Sequence, residues 1–279
     1  LDWVCLSANP NAIHFLEQNP DKIDWDELSK NPNAIHLLED NLDKINWRYL
    51  SGNPNAIHLL ENNFDKIDWN WLSINPNAIH LLKKNPDQIN WKYLSENPNG
   101  MSLLEENPLW INWSHLSLNP NAVYLVTLNL HRVDWKHLSR NPEAVAILSK
   151  NIKKVDWEQL SLNPNAIELL ERNFDKIHWL NFSQNKNAVP LIQKIWDTKL
   201  FRHKVLSCFD WYYLSSNPKA IHLLNENPDK INWSGLSRNP NAISLLEKNI
   251  RMIDWDQLSL NPNAIHLLEQ YPEKINWTK

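Results

Sequence analysis

Apolar and polar positions follow a pattern that repeats every 22 residues along the chain. Counted from a tryptophan as column 1, the repeat reads W-x-x-L-S-x-N-P-N-A-I-H-L-L-E-x-N-P-D-K-I-[D/N]. The step from Trp179 to Trp211 is 32 residues, so one repeat carries ten extra residues before the register resumes. A fixed period of roughly 20–50 residues is typical of stacked repeat proteins. The chain is therefore about twelve copies of one unit.

Each repeat predicts two short helices and a turn. In the second copy, Asp24 is an N-cap for a first helix over 25–30, and its carboxylate accepts hydrogen bonds from free backbone amides. The pair Asn31-Pro32 ends that helix and starts a second one, over 32–40, with Asn as N-cap and Pro at the first helical position. The following Asn-Pro-Asp-Lys-Ile motif predicts a tight turn with Pro at its second position.

Two short helices cannot bury a tryptophan alone, but stacked neighbours can. We therefore expect an all-α, right-handed solenoid of about twelve two-helix repeats, with residues 1–188 as a repeat array, 189–210 as an expanded irregular unit and 211–279 continuing the same solenoid. The asparagines of column 7 are expected to bond the backbone of adjacent repeats. The tryptophans predicted to form the structural core are Trp25, Trp47, Trp69, Trp91, Trp113, Trp135, Trp157, Trp179, Trp211, Trp233 and Trp255.

The composition and charge of the chain argue against nucleic acid and membranes as partners. The net charge is −4 with 28 Lys and Arg, so no basic footprint for nucleic acid or an anionic membrane is visible. No apolar run is long enough to span a membrane. Two cysteines in distant repeats favour a reducing compartment, and we expect a cytoplasmic location. The chain begins without Met and stops within a repeat, which is compatible with an excised fragment.

The string L-S-x-N-P-N-A-I-H-L-L-E-x-N-P-D-K-I-[D/N]-W, as at residues 50–69 with Phe64 for its second Pro, resembles uncharacterised repeat proteins of large DNA viruses of amoebae and other protists. More loosely, L-x-x-N-P before an apolar helix is similar to leucine-rich-variant repeats, which alternate α and 3₁₀ helices in a right-handed superhelix. The viral resemblance implies the host cytoplasm or a virus factory as the location. Neither resemblance implies an activity.

Few residues suggest chemistry. No metalloprotease, hydrolase, phosphate-binding or dinucleotide motif occurs, and the sequence predicts no catalytic residue, cofactor or metal site. Six histidines share column 12 and are expected to face solvent, too far apart along the stack to converge on one ion: His14, His36, His58, His80, His222 and His266.

Columns 2 and 3 point away from the predicted core and change from copy to copy. Five successive column-3 residues are aromatic or imidazole, and they are the candidate partner-binding residues: Tyr49, Trp71, Tyr93, His115 and His137. A variable aromatic stripe on a constant frame is how solenoids present a binding surface. The alternative is that these rings lie flat over neighbouring repeats as additional packing.

The expanded repeat predicts a lengthened second helix from Val189, an irregular loop, and re-entry of the common pattern at Trp211. Its extra segment is either a partner-binding projection or a joint between two arrays.

These patterns favour a non-catalytic scaffold that binds another protein along a repeat-lined surface. A structural unit that self-associates end to end is the alternative, since neither end carries a polar capping repeat. A third reading is a repeat that binds single-stranded RNA, which the negative net charge weakens.

Overall fold

The computed structural model describes residues 2–197, 209–271 and 274. These residues form short α-helices and 3₁₀ helices and no β-strand. Each repeat has a first helix that begins at the column-1 tryptophan and a second helix that begins at column 11. The prediction of an all-α fold of stacked two-helix repeats is confirmed, while the right-handed sense stays a prediction.

The first helices start where the sequence places them. Asp24 accepts a hydrogen bond from Glu27 N at 2.9 Å, and the helix runs Trp25–Lys30, as predicted. The first helices are Trp3–Ala8, Trp25–Lys30, Trp47–Ser51, Trp69–Ile74, Trp91–Glu96, Trp113–Leu116, Trp135–Arg140, Trp157–Leu162, Trp179–Gln184, Trp211–Ser216, Trp233–Ser237 and Trp255–Leu258.

The second helices begin three residues later than predicted. The Asn31 side chain accepts from Asn33 N at 3.0 Å, which folds Asn-Pro-Asn into a turn, so the helix starts at Ile35 instead of Pro32. The second helices are Ile13–Glu17, Ile35–Glu39, Ile57–Asn62, Ile79–Lys84, Met101–Glu106, Val123–Leu128, Val145–Lys150, Ile167–Arg172, Val189–Asp197, Ile221–Glu226, Ile243–Glu247 and Ile265–Gln270.

Most of the remaining turns are single turns of 3₁₀ helix. In the first repeat the Asn19 carbonyl accepts from Lys22 N at 3.1 Å, with Pro20 at the second position of the turn, as predicted. The 3₁₀ helices are Pro20–Lys22, Phe64–Lys66, Pro86–Gln88, Pro108–Trp110, Pro120–Ala122, Pro142–Ala144, Ile152–Lys154, Phe174–Lys176, Pro228–Lys230 and Ile250–Met252.

The centre of the core consists of small and branched residues, not of tryptophan. The column-4 side chains, such as Leu50 and Leu94, and most column-10 alanines are fully buried. The eleven tryptophans predicted as core, from Trp25 to Trp255, are half-buried instead. The reason is that each indole stands at the start of a helix, at the edge of the repeat, where the following turn covers it. Lys44 lies 4.7 Å above the Trp25 ring, for example.

The buried serines of column 5 tie the two halves of a repeat together. Ser29 Oγ donates to the carbonyl of Trp25 at 2.7 Å and accepts from Asn46 N at 3.0 Å. The hydroxyl therefore satisfies a carbonyl within the first helix and positions the N-cap of the next repeat. This explains why column 5 is serine in every copy.

The buried asparagines of column 7 bond successive repeats, as predicted. Asn53 Nδ2 donates to the carbonyls of Ser29 and Asn31 in the preceding repeat, both at 3.1 Å. Its Oδ1 accepts from Asn55 N at 3.0 Å, so the whole carboxamide is satisfied. Asn55 adds a bond from its Nδ2 to the Pro32 carbonyl at 2.9 Å.

The chain divides into two compact units. The first comprises Leu1–Asn121 with Trp255–Lys279, and the second comprises Ala122–Asp254. Within each unit the first helices of successive repeats pack against one another.

Within the first unit, the last repeat lies against the first repeat. Asn9 Nδ2 donates to the carbonyls of Ser259 at 2.8 Å and Asn261 at 3.3 Å, and Asn11 Nδ2 donates to the Pro262 carbonyl at 2.9 Å. These are the same bonds that join consecutive repeats elsewhere. The sequence pattern gave no indication of this contact, which we call the terminal seam.

The expanded repeat lies in the second unit. Its second helix, Val189–Asp197, has nine residues instead of the usual five or six, which confirms the predicted lengthening. The predicted irregular loop falls largely on residues 198–208, which lie outside the described residues. Asp210 N donates to Ser183 Oγ at 3.1 Å, so the common register resumes at Trp211 as predicted.

Candidate partner-binding groove

The first helices of the repeats that begin at Trp47, Trp69 and Trp91 carry the aromatic residues of column 3, which are Tyr49, Trp71 and Tyr93. Columns 4 and 5 are buried in each helix, which leaves columns 2, 3 and 6 on the outer side. Asp68 accepts from the backbone amides of Asn70 and Trp71, both at 3.0 Å, and so fixes the start of the helix that presents Trp71.

The structure brings the first two predicted aromatic residues into direct contact. The rings of Tyr49 and Trp71 meet edge to face, with centroids 5.9 Å apart. Trp71 is 37% exposed, whereas Tyr49 and Tyr93 are half-buried. The column-3 stripe was interpreted either as a partner-binding surface or as additional packing, and it combines both. The tyrosines partly pack over neighbouring repeats, whereas Trp71 reaches the surface.

The two predicted histidines are each paired with a carboxylate. His115 Nδ1 lies 3.1 Å from Glu96 Oε2 in the preceding repeat of the first unit. His137 belongs to the second unit, and its Nδ1 lies 3.2 Å from Asp134 Oδ2.

Two adjoining cavities open beside Trp71, and we call them together the Trp71 groove. They share Arg48, Asn70, Trp71 and Tyr93. The more polar cavity has a volume of about 270 Å³ and also touches Asp68 and Asn90, and the more apolar one has about 160 Å³ and also touches Ile74.

Gly52 makes room for the indole of Trp71. A Cβ atom at this column-6 position would lie 3.0 Å from Trp71 Cε3, whereas column 6 holds Lys30 and Ile74 in the adjacent repeats. The absent side chain therefore lets the ring lie against the preceding helix.

Hydrogen-bond donors outnumber acceptors in the groove. Asn90 Nδ2 donates to Asn70 Oδ1 at 2.6 Å, and Asn90 Oδ1 accepts from Tyr93 N at 3.3 Å. The guanidinium of Arg48 lies 5.9 Å from the Trp71 ring centroid, with no carboxylate within ion-pair distance in the described part of the chain. What is left for a ligand is mainly N–H groups and aromatic faces.

Lys30, at the Tyr49 end of the same surface, is already engaged. Its ammonium lies 4.1 Å from the Tyr49 ring centroid and 2.5 Å from Glu27 Oε1. The hydrogen bond to Glu27 raises the pKa of Lys30 above its usual range. Arg48 therefore differs from Lys30 in having its charge available.

Sequence reasoning found Trp71 and Tyr93 but missed the groove residues of the other columns. Arg48 and Asn70 stand in column 2, which varies as much as column 3 and points to the same side. That variation was a usable signal for both residues. Gly52 carried a weaker signal, as one of only three glycines in the chain.

The column-12 histidines face solvent, as expected. His14, His36, His58 and His80 each pair with a column-15 glutamate of the repeat packed before them, whereas His222 Nδ1 lies 3.5 Å from Glu226 Oε1 of its own repeat. His36 Nε2 lies 2.8 Å from Glu17 Oε1, and His14 Nε2 lies 2.7 Å from Glu269 Oε1 across the terminal seam. No group of three or more His, Cys, Asp or Glu side chains among the described residues could hold a metal ion.

A second exposed apolar feature lies on a turn. Leu109 and Trp110 replace the usual Asp-Lys of columns 19 and 20, and Leu109 is 93% exposed. The Trp110 ring stacks on Trp91 with centroids 6.1 Å apart.

Comparisons with known proteins identify no relative of this chain. No family model, no curated protein and no solved structure matches this chain. No helix in the described residues has both the length and the apolar character needed to cross a membrane.

Proposed function

We propose that the protein is a non-catalytic scaffold that binds another protein through the outer surface of its first helices, centred on the Trp71 groove. The observation that carries this proposal is an exposed indole with an arginine beside it that no carboxylate of the described residues engages. Trp and Arg are the side chains that most often dominate the energy of protein interfaces. The buried Leu, Ser and Asn columns supply a rigid support for them.

End-to-end self-association has less support. The surface of repeat 1 that such stacking would use is occupied in the first unit by Ser259, Asn261 and Pro262 of the same chain. We therefore expect light scattering to give a monomer mass that does not change with concentration. A mass that grows with concentration would favour the assembly function instead.

The proposal is tested by changing the five candidate residues together to Ser: Tyr49, Trp71, Tyr93, His115 and His137. The change leaves the fully buried Leu, Ser and Asn columns intact, so the variant should remain folded although the half-buried tyrosines contribute some packing. Partners retained from an extract of the protein's own source cells should fall at least about tenfold, measured by quantitative mass spectrometry, because aromatic anchors dominate interfaces.

A matched control changes five exposed column-16 residues to Ser on the other side of the repeats: Gln18, Asp40, Asn62, Lys84 and Glu106. The control should retain the same partners as the wild type. Equal retention by both variants and the wild type would show that the column-3 surface does not bind a partner.

A further inference from the structure

We infer that the Trp71 groove takes a single carboxylate side chain of an extended peptide, flanked by an apolar side chain. This inference rests on the proposed function and specifies the chemistry of the partner segment. The carboxylate would be held by Arg48 and the amide of Asn70, and the apolar side chain would lie against Trp71, Tyr93 and Ile74.

The charge of the groove selects the carboxylate. The planar guanidinium of Arg48 can donate two parallel N–H bonds to a carboxylate, a geometry that lysine cannot provide. The oxygen of the Asn70 amide is engaged by Asn90, so its Nδ2 is the group turned to a ligand. A ligand here must therefore bring acceptors.

The shape of the groove suits two side chains of different polarity. Its polar and apolar cavities, of about 270 and 160 Å³, adjoin each other beside Trp71. The apolar cavity shares Arg48 with the polar one, so the side chains of residues i and i+2 of an extended peptide, which point to the same side, could fill both.

A peptide fits better than a nucleic acid. Trp71 and Tyr93 could stack on bases, but Arg48 is the one cation among the residues that line the groove, and the Asp68 carboxylate beside it already accepts from the amides of Asn70 and Trp71. Lys92 is the next cation, and its ammonium lies 5.7 Å from the Tyr93 ring centroid. Tracking a phosphate backbone requires several cations, whereas one carboxylate requires only Arg48.

The test is a double-mutant cycle with two synthetic peptides. Both are acetylated, amidated and nine residues long, with a leucine two residues before and two residues after the central position, and they differ only in a Glu or a Gln at that position. Binding is measured by fluorescence polarisation to the full chain and to Arg48→Gln. We expect the Glu peptide to bind the wild type about tenfold more tightly than the Gln peptide, because a hydrogen bond to a charged group is stronger than a neutral one.

In Arg48→Gln the preference for Glu should fall below about twofold. Trp71→Ser should weaken both peptides by a similar factor and leave their ratio unchanged. Lys66→Gln, at an exposed turn, is the charge-matched control and should change neither affinity.

Three results would overturn the inference. One is the absence of an Arg48-dependent preference for Glu. It would be seen as equal affinity of the wild type for the two peptides, or as an unchanged ratio of the two affinities in Arg48→Gln. Another is no binding of the Glu peptide up to about 1 mM. The third is tighter binding of oligouridylate than of the Glu peptide, with loss on Arg48→Gln, which would identify a nucleic-acid surface. Loss of natural partners in the five-residue Ser variant without a Glu preference would overturn this inference alone and leave the scaffold function standing.

Discussion

Single side chains join the repeats through the backbone. The Asn53 carboxamide makes three hydrogen bonds, and two of them reach carbonyls of the preceding repeat. Removing a partner from a buried carbonyl costs the desolvation of that group, about 1–3 kcal/mol. The asparagine column is therefore expected to contribute strongly to cohesion between repeats.

We predict that Asn53→Ala lowers the free energy of unfolding by about 2–4 kcal/mol, because it leaves the buried Ser29 carbonyl without its donor, takes one of two donors from the Asn31 carbonyl and removes the acceptor of the Asn55 amide. Asn55→Ala, which removes one bond at an exposed position, should cost less than about 1 kcal/mol. Urea denaturation followed by circular dichroism measures both. Equal losses for the two variants would contradict the role of column 7.

The regular recurrence of histidine in column 12 and of tryptophan in column 1 suggests that both contribute strongly to stability, but their positions in the structure indicate otherwise. The imidazoles of His36 and His58 lie about half exposed against glutamates of the preceding repeat, an arrangement that typically contributes little to stability. The tryptophans cover the edges of the core, while leucine and alanine occupy its centre. Their recurrence therefore reflects a shared edge environment and not full burial.

At the scale of the helix, the spacing between first helices depends on single glycines. A Cβ at Gly235 would lie 2.2 Å from the Tyr212 carbonyl oxygen, a distance that real structures do not tolerate. The two helices therefore approach more closely here than a side chain would allow. At Gly52 the nearest atom belongs to the Trp71 side chain, which can move.

We predict that Gly235→Ala destabilises the protein by about 1–3 kcal/mol, since the backbone must shift and this outweighs the roughly 1 kcal/mol helix preference of Ala over Gly. Gly52→Ala should change stability by less than about 1 kcal/mol and alter the fluorescence or indole resonance of Trp71 instead. Melting temperatures of the two variants provide the comparison. A stabilised Gly235→Ala would refute the close approach of the two helices.

For the molecule as a whole, the terminal seam has the largest consequence. Asn9 bonds Ser259 and Asn261 with the geometry that other column-7 asparagines use toward their preceding repeat. Asn9 is 2% exposed, as buried as the column-7 asparagines Asn31 and Asn53 of internal repeats. The first repeat is thus covered as an internal repeat would be.

We predict that Asn9→Ala costs as much free energy of unfolding as Asn53→Ala, about 2–4 kcal/mol, because both remove two bonds to buried carbonyls. Urea denaturation of the two variants in parallel makes the comparison. Terminal repeats that separate in solution would give a loss below about 0.5 kcal/mol for Asn9→Ala, with Asn53→Ala unchanged.

Much of the local structure follows from the sequence because its causes lie within one repeat or between neighbours. The Asp or Asn before each tryptophan predicts the start of the first helix, and the invariant column-7 Asn predicts bonds between repeats. The second helix was predicted three residues too long at its start, because the Asn31 side chain forms a turn with Asn33 that competes with helical capping.

The sequence by itself determined the period, the two helices of each repeat, the asparagine column and the outward-facing variable columns, since each depends on contacts that recur in every copy. Only the tertiary structure decided that Arg48, Trp71 and Tyr93 share a groove, because this depends on the space left by Gly52 and on side-chain directions. It alone also decided the seam between Asn9 and Ser259, 250 residues apart. The small rotation at each repeat interface determines which surface packs against repeat 1. A pattern of residues does not predict that rotation.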